Sequence, residues 1–366
     1  RRAGGSQLRD HHLVWGALRS AFHTTSFAFG LPADTRDATD EVHLAPFGSR
    51  REMITSATRG MALTGKAPLS RHEPALSEAL HAADIVFSSQ LYLAEQLHRR
   101  SLDIPWIWDT HVFDPLVWAQ RAETQRGPLK WLQKQQEVTA KKLLRRASPC
   151  AAILLAASEE DADAISRLAP MAKVAVLTNA VDFDPFQNVD LWSTRQDSTF
   201  AIVGSFSQHD TYTGTSWFLK NVWPLVIAAL PSARLRLIGR HPRGNDLDGH
   251  EGVEQRFDVP SIAEELVGSS AVLLPLLAGS GSKLKSIEAI GSGLPVVSTS
   301  AAMIGISQRP HHLFVADSAS DFASRLLSAD LLQQPSSADV SDFRGRFNVD
   351  RQRAEFLALI QSVLDS

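Results

Sequence analysis

Short apolar runs alternate with amphipathic stretches over nearly the whole chain, and the two periods assign its elements. In the first half, Asp84–Ser89 reads as a strand, a helix including Leu91 and Leu97 follows, and Pro105–Asp109 is the next strand. Ala151–Ala156 is apolar throughout, the pattern of a parallel strand covered on both faces. Ser158, followed by Glu159, Glu160 and Asp161, predicts an N-cap and an acidic first turn for a helix through Leu168. Lys173–Leu177 is a short strand. Pro128–Arg146 reads as a long polar helix whose basic last turns suit a helix C-terminus. Residues 31–80 lack a clear period and predict loops and short helices.

The pattern breaks between Phe183 and Ser198, where Asp, Pro, Asn, Trp and Ser interrupt it, and then restarts. Phe200–Val203 is a strand, Thr215–Leu230 a helix, and Leu235–Ile238 a strand ending at Gly239. A short helix over Ile262–Val267, a strand over Ala271–Leu274, a helix over Leu284–Ile290 and a strand over Pro295–Ser298 follow. Ala319–Leu327 and Arg351–Val363 close the chain as helices. Strand–helix repetition on both sides of one break predicts two α/β units.

A length of 366 residues suits two domains better than one core. With 44% apolar and 21% charged residues the composition is that of a soluble globular protein. The formal net charge of −3 provides no global attraction for nucleic acid or anionic membrane, although Lys141-Lys142 and Arg145-Arg146 cluster locally. A single cysteine, Cys150, excludes an intrachain disulfide and any cysteine-clustered zinc site, and its apolar surroundings predict a packing role. No apolar run approaches a membrane span. The chain opens Arg-Arg-Ala-Gly-Gly without an initiating Met, so its natural start is expected to lie further upstream.

The densest chemistry lies between Pro275 and Ile306. Ser280, Gly281 and Ser282 precede a helix start, where backbone N–H groups can hold a phosphate. Lys283 and Lys285 add positive charge, and Glu288, three residues past Lys285, shares its helical face. Ordinary capping and a surface ion pair would also produce this spacing. The functional alternative is a clamp for a nucleotide diphosphate.

Gly279–Ala289 with Gly293–Thr299 and Gly305-Ile306 resembles the donor-binding segment of retaining glycosyltransferases of family 4, also called glycosyltransferase group 1. Val203-Gly204-Ser205 with Trp217-Phe218 and Trp223-Pro224 resembles the opening of that family's C-terminal domain, and Asn179–Asp182 the end of its N-terminal domain. Gly4-Gly5 resembles the family's first glycine loop, and Asp109-Thr110-His111 its Asp-x-His after a central strand. The resemblance implies a GT-B fold, two Rossmann-like domains facing across a cleft, with the N-terminal strand truncated. The boundaries it implies are 1–182 for acceptor binding, 183–345 for the nucleotide sugar, and 346–366 for a C-terminal helix packing back on the first domain.

It also implies a sugar transfer from a nucleotide diphosphate sugar to an acceptor hydroxyl, with retention, in polysaccharide or glycolipid biosynthesis. Lys285, Glu288 and His111 are the catalytic candidates, with Asp109 orienting His111. Gly4, Gly5, Gly204, Ser205, Ser280, Gly281, Ser282, Lys283, Met303, Gly305 and Ile306 join Lys285 and Glu288 as donor-binding candidates. No metal and no cofactor beyond the donor substrate are implied. The implied partners are the nucleotide sugar and a carbohydrate or lipid-linked acceptor, without nucleic acid, at a cytoplasmic location with peripheral association at the inner membrane face. Ser280 stands where the family commonly carries a glutamate eight residues before Glu288. Residues 205–215 hold no Arg or Lys where a basic pair is usual, so Lys283, Lys285 and backbone amides would grip the diphosphate. Two alternatives stay open: a silent sugar-nucleotide-binding or assembly subunit, and an epimerase or hydrolase on the same scaffold.

Overall fold

A computed structural model describes residues 13–29, 41–45, 68–241, 247–278 and 282–366. The chain divides into two compact units, one holding the chain up to Thr178 together with Gln352–Ser366, the other Asn179–Arg351.

In the first unit, β1 (Thr25–Phe29) pairs in parallel with β2 (Glu41–Ala45), two strands that the sequence reading does not assign. A second parallel sheet runs in chain order through β3 (Val86–Ser89), β4 (Trp106–Asp109), β5 (Ile153–Ala156) and β6 (Val174–Val176). The period-two alternation decides which side chain meets which layer. Trp106, Trp108 and Leu154 enter a core shared with Leu143 and Leu144 of the helix Gly127–Ala147. Ile107 and Leu155, pointing the other way, meet Leu13, Phe356 and Ile360. Phe356 and Ile360, one turn apart, belong to the closing helix Val349–Leu364, whose apolar stripe is thereby buried in this unit. Ser158 caps Glu159–Leu168 by accepting the Asp161 N–H at 3.1 Å.

The second unit holds six parallel strands, β7 (Thr199–Ser205), β8 (Arg234–Arg240), β9 (Val253–Phe257), β10 (Ala271–Leu274), β11 (Val296–Ser298) and β12 (Leu313–Val315). Their spatial order is β12-β11-β10-β7-β8-β9, so the winding reverses between β7 and β10. In such sheets ligands bind outside the carboxyl ends of the strands at that reversal. Phe200 and Ile202 of β7 face one core while Ala201 and Val203 face the other, so helices cover both sides of the sheet.

Some elements depart from the sequence reading. The helix expected over Thr215–Leu230 is two helices, His209–Asn221 and Trp223–Ala229. Pro224 sits in the first turn of the second, where its missing N–H is harmless, but in an unbroken helix its ring would collide with the preceding turn. Strand β9 escaped notice because Glu254, Gln255 and Arg256 occupy its centre, and as an edge strand it is solvated. Cys150 is exposed, not packed, because it lies on a single 3-10 turn leaving the helix Gly127–Ala147.

Candidate functional site

Three close backbone approaches shape the carboxyl edge around β7 and β10. Gly239, φ +139°, lies opposite Gly204 in register, and a Cβ there would fall 2.0 Å from the Gly204 carbonyl oxygen. Gly204 in turn leaves room for the Thr211 methyl, which would stand 2.9 Å from a Cβ. Gly214, one turn along the same helix His209–Asn221, presses against the backbone just past β10: its Cβ would sit 2.2 Å from the Pro275 carbonyl oxygen. Small residues here are a packing requirement, since no side chain can occupy those spaces.

Lys285 spans the reversal. It belongs to the helix Leu284–Gly291 that follows β10, and its Nζ donates at 2.5 Å to Thr211 Oγ1 on the helix that follows β7. Thr211 is buried and Lys285 partly buried. Burial of the ammonium pushes its pKa down to about 8, with the Asp210 carboxylate acting against that shift. A desolvated cation at the reversal of a doubly wound sheet is poised for an anion, because an incoming negative charge supplies what lost hydration removed.

The segment leading into that helix is fixed from behind. Ser282 is buried; its hydroxyl accepts the Asn179 N–H at 3.2 Å and its carbonyl oxygen accepts from the Asn179 amide. Gly305, φ +79°, packs against the same backbone, a Cβ there lying 2.5 Å from Ser282 N. Ser286 donates to the Ala302 carbonyl at 2.8 Å. Met303 and Ile306 are buried in the hydrophobic core beneath. Lys283 occupies the N-cap position without a side-chain cap, and Glu288 lies three residues past Lys285 on the same helix. Ser205 bonds Ser207 through its hydroxyl. Gly4, Gly5, Ser280 and Gly281 lie outside the described residues.

In the first unit, Asp109 ends β4 fully buried and His111 follows it, also buried. The Val112 N–H closes a three-residue turn onto the Thr110 carbonyl at 2.5 Å, with His111 at its centre at φ +53°. A non-glycine residue in this region is strained, and such strain concentrates at functional positions. Asp109 restrains it: Oδ1 accepts the His111 N–H at 3.3 Å, and Oδ2 lies 3.4 Å from Nδ1. Gln90, at the end of the neighbouring β3, also has positive φ, +74°, and its N–H donates to the Asp109 carbonyl.

Thus Lys285 gathers with Gly204 through Thr211, and Gly305 with Ser282, while Asp109 and His111 meet in the other unit. Thr211 and Asp210 carry roles that no local motif announces, and Asn179, part of the Asn179–Asp182 motif, holds Ser282 in a way that motif does not announce. Only the missing basic residues of 205–215 hinted that something else stands beside the first loop.

Residues 197–329 match the family described as glycosyl transferases group 1. That segment is a glycosyl transferases group 1 domain. It contains β7, β8 and β10, the strand ends around Lys285, and the helices that bridge them. No curated protein matches the chain in sequence. Solved structures match nearly its whole length. Sucrose-phosphate synthase from Thermosynechococcus elongatus aligns at 13% identity and TM-score 0.69, covering 99% of this chain and 94% of that one. The UDP-forming α,α-trehalose-phosphate synthase from Burkholderia xenovorans gives 15% and 0.61, with 96% of each chain covered. A trehalose-6-phosphate synthase whose glycosyl transfer proceeds with retention gives 13% and 0.62, covering 99% and 98%.

The chain therefore has the GT-B fold, two Rossmann-like α/β domains, of which the group 1 domain is the second. Among the described residues no group of three His, Cys, Asp or Glu side chains is placed to hold a metal ion, and no helix is long and apolar enough to cross a membrane.

Proposed function

We propose that the protein is a retaining glycosyltransferase that moves a sugar from a nucleotide diphosphate sugar to an acceptor hydroxyl, in the building of a polysaccharide or glycolipid. The observation that carries the reading is Lys285 bridging the two connections at the sheet reversal of the group 1 domain. The Lys285 ammonium would leave Thr211 for a diphosphate oxygen and stabilise the charge that develops as the glycosidic bond breaks. Glu288, acceptor-only when ionised, suits the vicinal hydroxyls of a ribose. His111 is the first unit's candidate for the transferred sugar or the leaving phosphate, held by Asp109. Retention is supported by the mechanism of one fold neighbour, and uridine is the first base to test because another is UDP-forming.

Thermal denaturation against UDP-, GDP- and ADP-sugars tests the binding step, since a ligand taken only by the folded chain raises its midpoint. One nucleotide class is expected to stabilise the protein, and none doing so would refute the reading. His111→Ala is expected to lower kcat roughly a hundredfold while nucleotide affinity stays near wild type, checked by steady-state kinetics beside calorimetry.

The pH dependence has a defined sign. Between about 8 and the ordinary lysine value of 10.5, the unfolded chain keeps a Lys285 proton that the folded chain has released. Stability from this group is therefore lost as pH falls through about 8 and regained as pH rises toward 10.5. Diphosphate binding runs the other way, because it needs the charged lysine. Calorimetry should show nucleotide affinity falling as pH climbs above 8, with proton uptake on binding.

A second reading, a silent sugar-nucleotide-binding subunit, is favoured by one observation. Asp210, an acid, stands near Lys285 in a stretch without Arg or Lys. Nucleotide binding without turnover on any acceptor extract would select it.

A further inference from the structure

At the other edge of its sheet the second unit holds a cavity of about 710 Å³. Gly293 lines it, in the turn that leads from the helix Leu284–Gly291 into β11, so the cavity lies at the amino edge. Lys285, at the start of that same helix, follows the carboxyl end of β10. One wall is the helix Ser337–Arg346, whose Ser337, Val340, Ser341 and Arg344 recur at three- and four-residue spacing and share a face.

Among the described residues the lining carries two guanidinium groups, Arg344 and Arg351, and no carboxylate. Arg344 is partly buried and fixed in place. Its Nε donates to the Gly291 carbonyl at 2.6 Å and Nη2 to that of Ser292 at 3.3 Å, with the guanidinium 5.8 Å from the centre of the Phe183 ring. Those partners are neutral. Burial lowers its pKa, and no carboxylate opposes the shift. A positioned, desolvated cation of this kind favours an anion, and the planar fork of arginine suits phosphate. Arg351 also acts on Asp342, which Arg346 pairs at 3.3 Å, so Arg344 is the principal anchor.

The rest of the lining decides what accompanies the anion. The amides of Gln187, Gln334 and Asn348 and the hydroxyls of Ser337 and Ser341 supply both donors and acceptors, the chemistry that meets hydroxyl groups. Phe183, the one aromatic residue of the described lining, is 2% exposed, so no open ring face is offered for a nucleobase to stack on. We propose that this cavity binds a phosphate monoester of a small polyol, with the phosphate on Arg344 and the hydroxyls among the amides and serines. Its volume is that of a small-molecule site. The assignment does not depend on the transferase reading, because the donor candidates lie at the opposite edge of the sheet.

Calorimetry on the full chain with sorbitol 6-phosphate tests it. Binding is expected, with sorbitol and inorganic phosphate each weaker by roughly tenfold or more. Arg344→Gln, which keeps an amide donor for the Gly291 carbonyl, should weaken binding roughly ten- to a hundredfold. Gly345 also lines the cavity, and a Cβ added there meets nothing within 4 Å. Gly345→Leu should therefore fill the space and abolish binding, with a thermal midpoint unchanged or raised because leucine favours a helix over glycine. Lys285→Ala should bind the ester like the wild type. No binding by the wild type, equal binding of sorbitol or of inorganic phosphate, or undiminished binding by either cavity variant would overturn the proposal. So would loss of binding in Lys285→Ala, which would put the ester at the donor candidates. Nucleotide binding is titrated separately, so each result is readable without the other.

Discussion

Lys285→Ala is expected to lower kcat roughly a hundred- to a thousandfold, the penalty for losing one preorganised donor to a developing oxyanion. The charge-assisted bond it would make to a phosphate oxygen is worth about 1.5–3 kcal/mol in a desolvated site. Stability should barely move. The substitution strands the Thr211 hydroxyl, which loses the 2.5 Å bond, but it also removes an ammonium that burial destabilises. Steady-state kinetics together with a thermal melt separate the two effects. Large loss of turnover with an unchanged melt supports a binding role, whereas a large fall in the melt would mark Lys285 as structural.

Gly305→Ala should be strongly damaging to the segment that carries this site. Its φ of +79° is costly for any L side chain, about 1–2 kcal/mol, and the new Cβ would lie 2.5 Å from Ser282 N and 2.7 Å from Ser282 Cα. Those atoms are backbone, so relief requires moving the segment that leads into Leu284–Gly291. A total loss of roughly 2–4 kcal/mol is expected, read by urea unfolding, together with weaker nucleotide binding because Lys285 and Glu288 ride on the displaced helix. Gly345→Ala, where an added Cβ meets nothing within 4 Å, is the matched control.

The extent to which this architecture could be read from residues alone follows from where its information lies. Ala151–Ala156 and Ala271–Leu274 announced themselves because strands covered on both faces must be apolar at every position. Strand β9 did not, because an edge strand has no such constraint. The helix carrying Lys285 and Glu288 was legible from the turn before it and its amphipathic spacing. The partner of Lys285 was not. Thr211 lies 74 positions away and meets it only because β7 and β10 become neighbours when the sheet reverses. Asn179 is harder still, reaching Ser282 across 103 residues. Met303 and Ile306, expected near the donor, are buried core residues, and periodicity cannot tell a pocket floor from the core beneath it. His111 showed only as Asp-x-His; its positive φ is a backbone property that no residue type encodes.

Hydrogen–deuterium exchange with and without a nucleoside diphosphate tests most directly whether the sheet reversal of the group 1 domain holds the donor. Within the second unit, protection is expected at 204–211 and 282–288, the segments that Lys285 ties together. Protection confined to other segments, with these two unchanged at saturating nucleotide, would contradict the account.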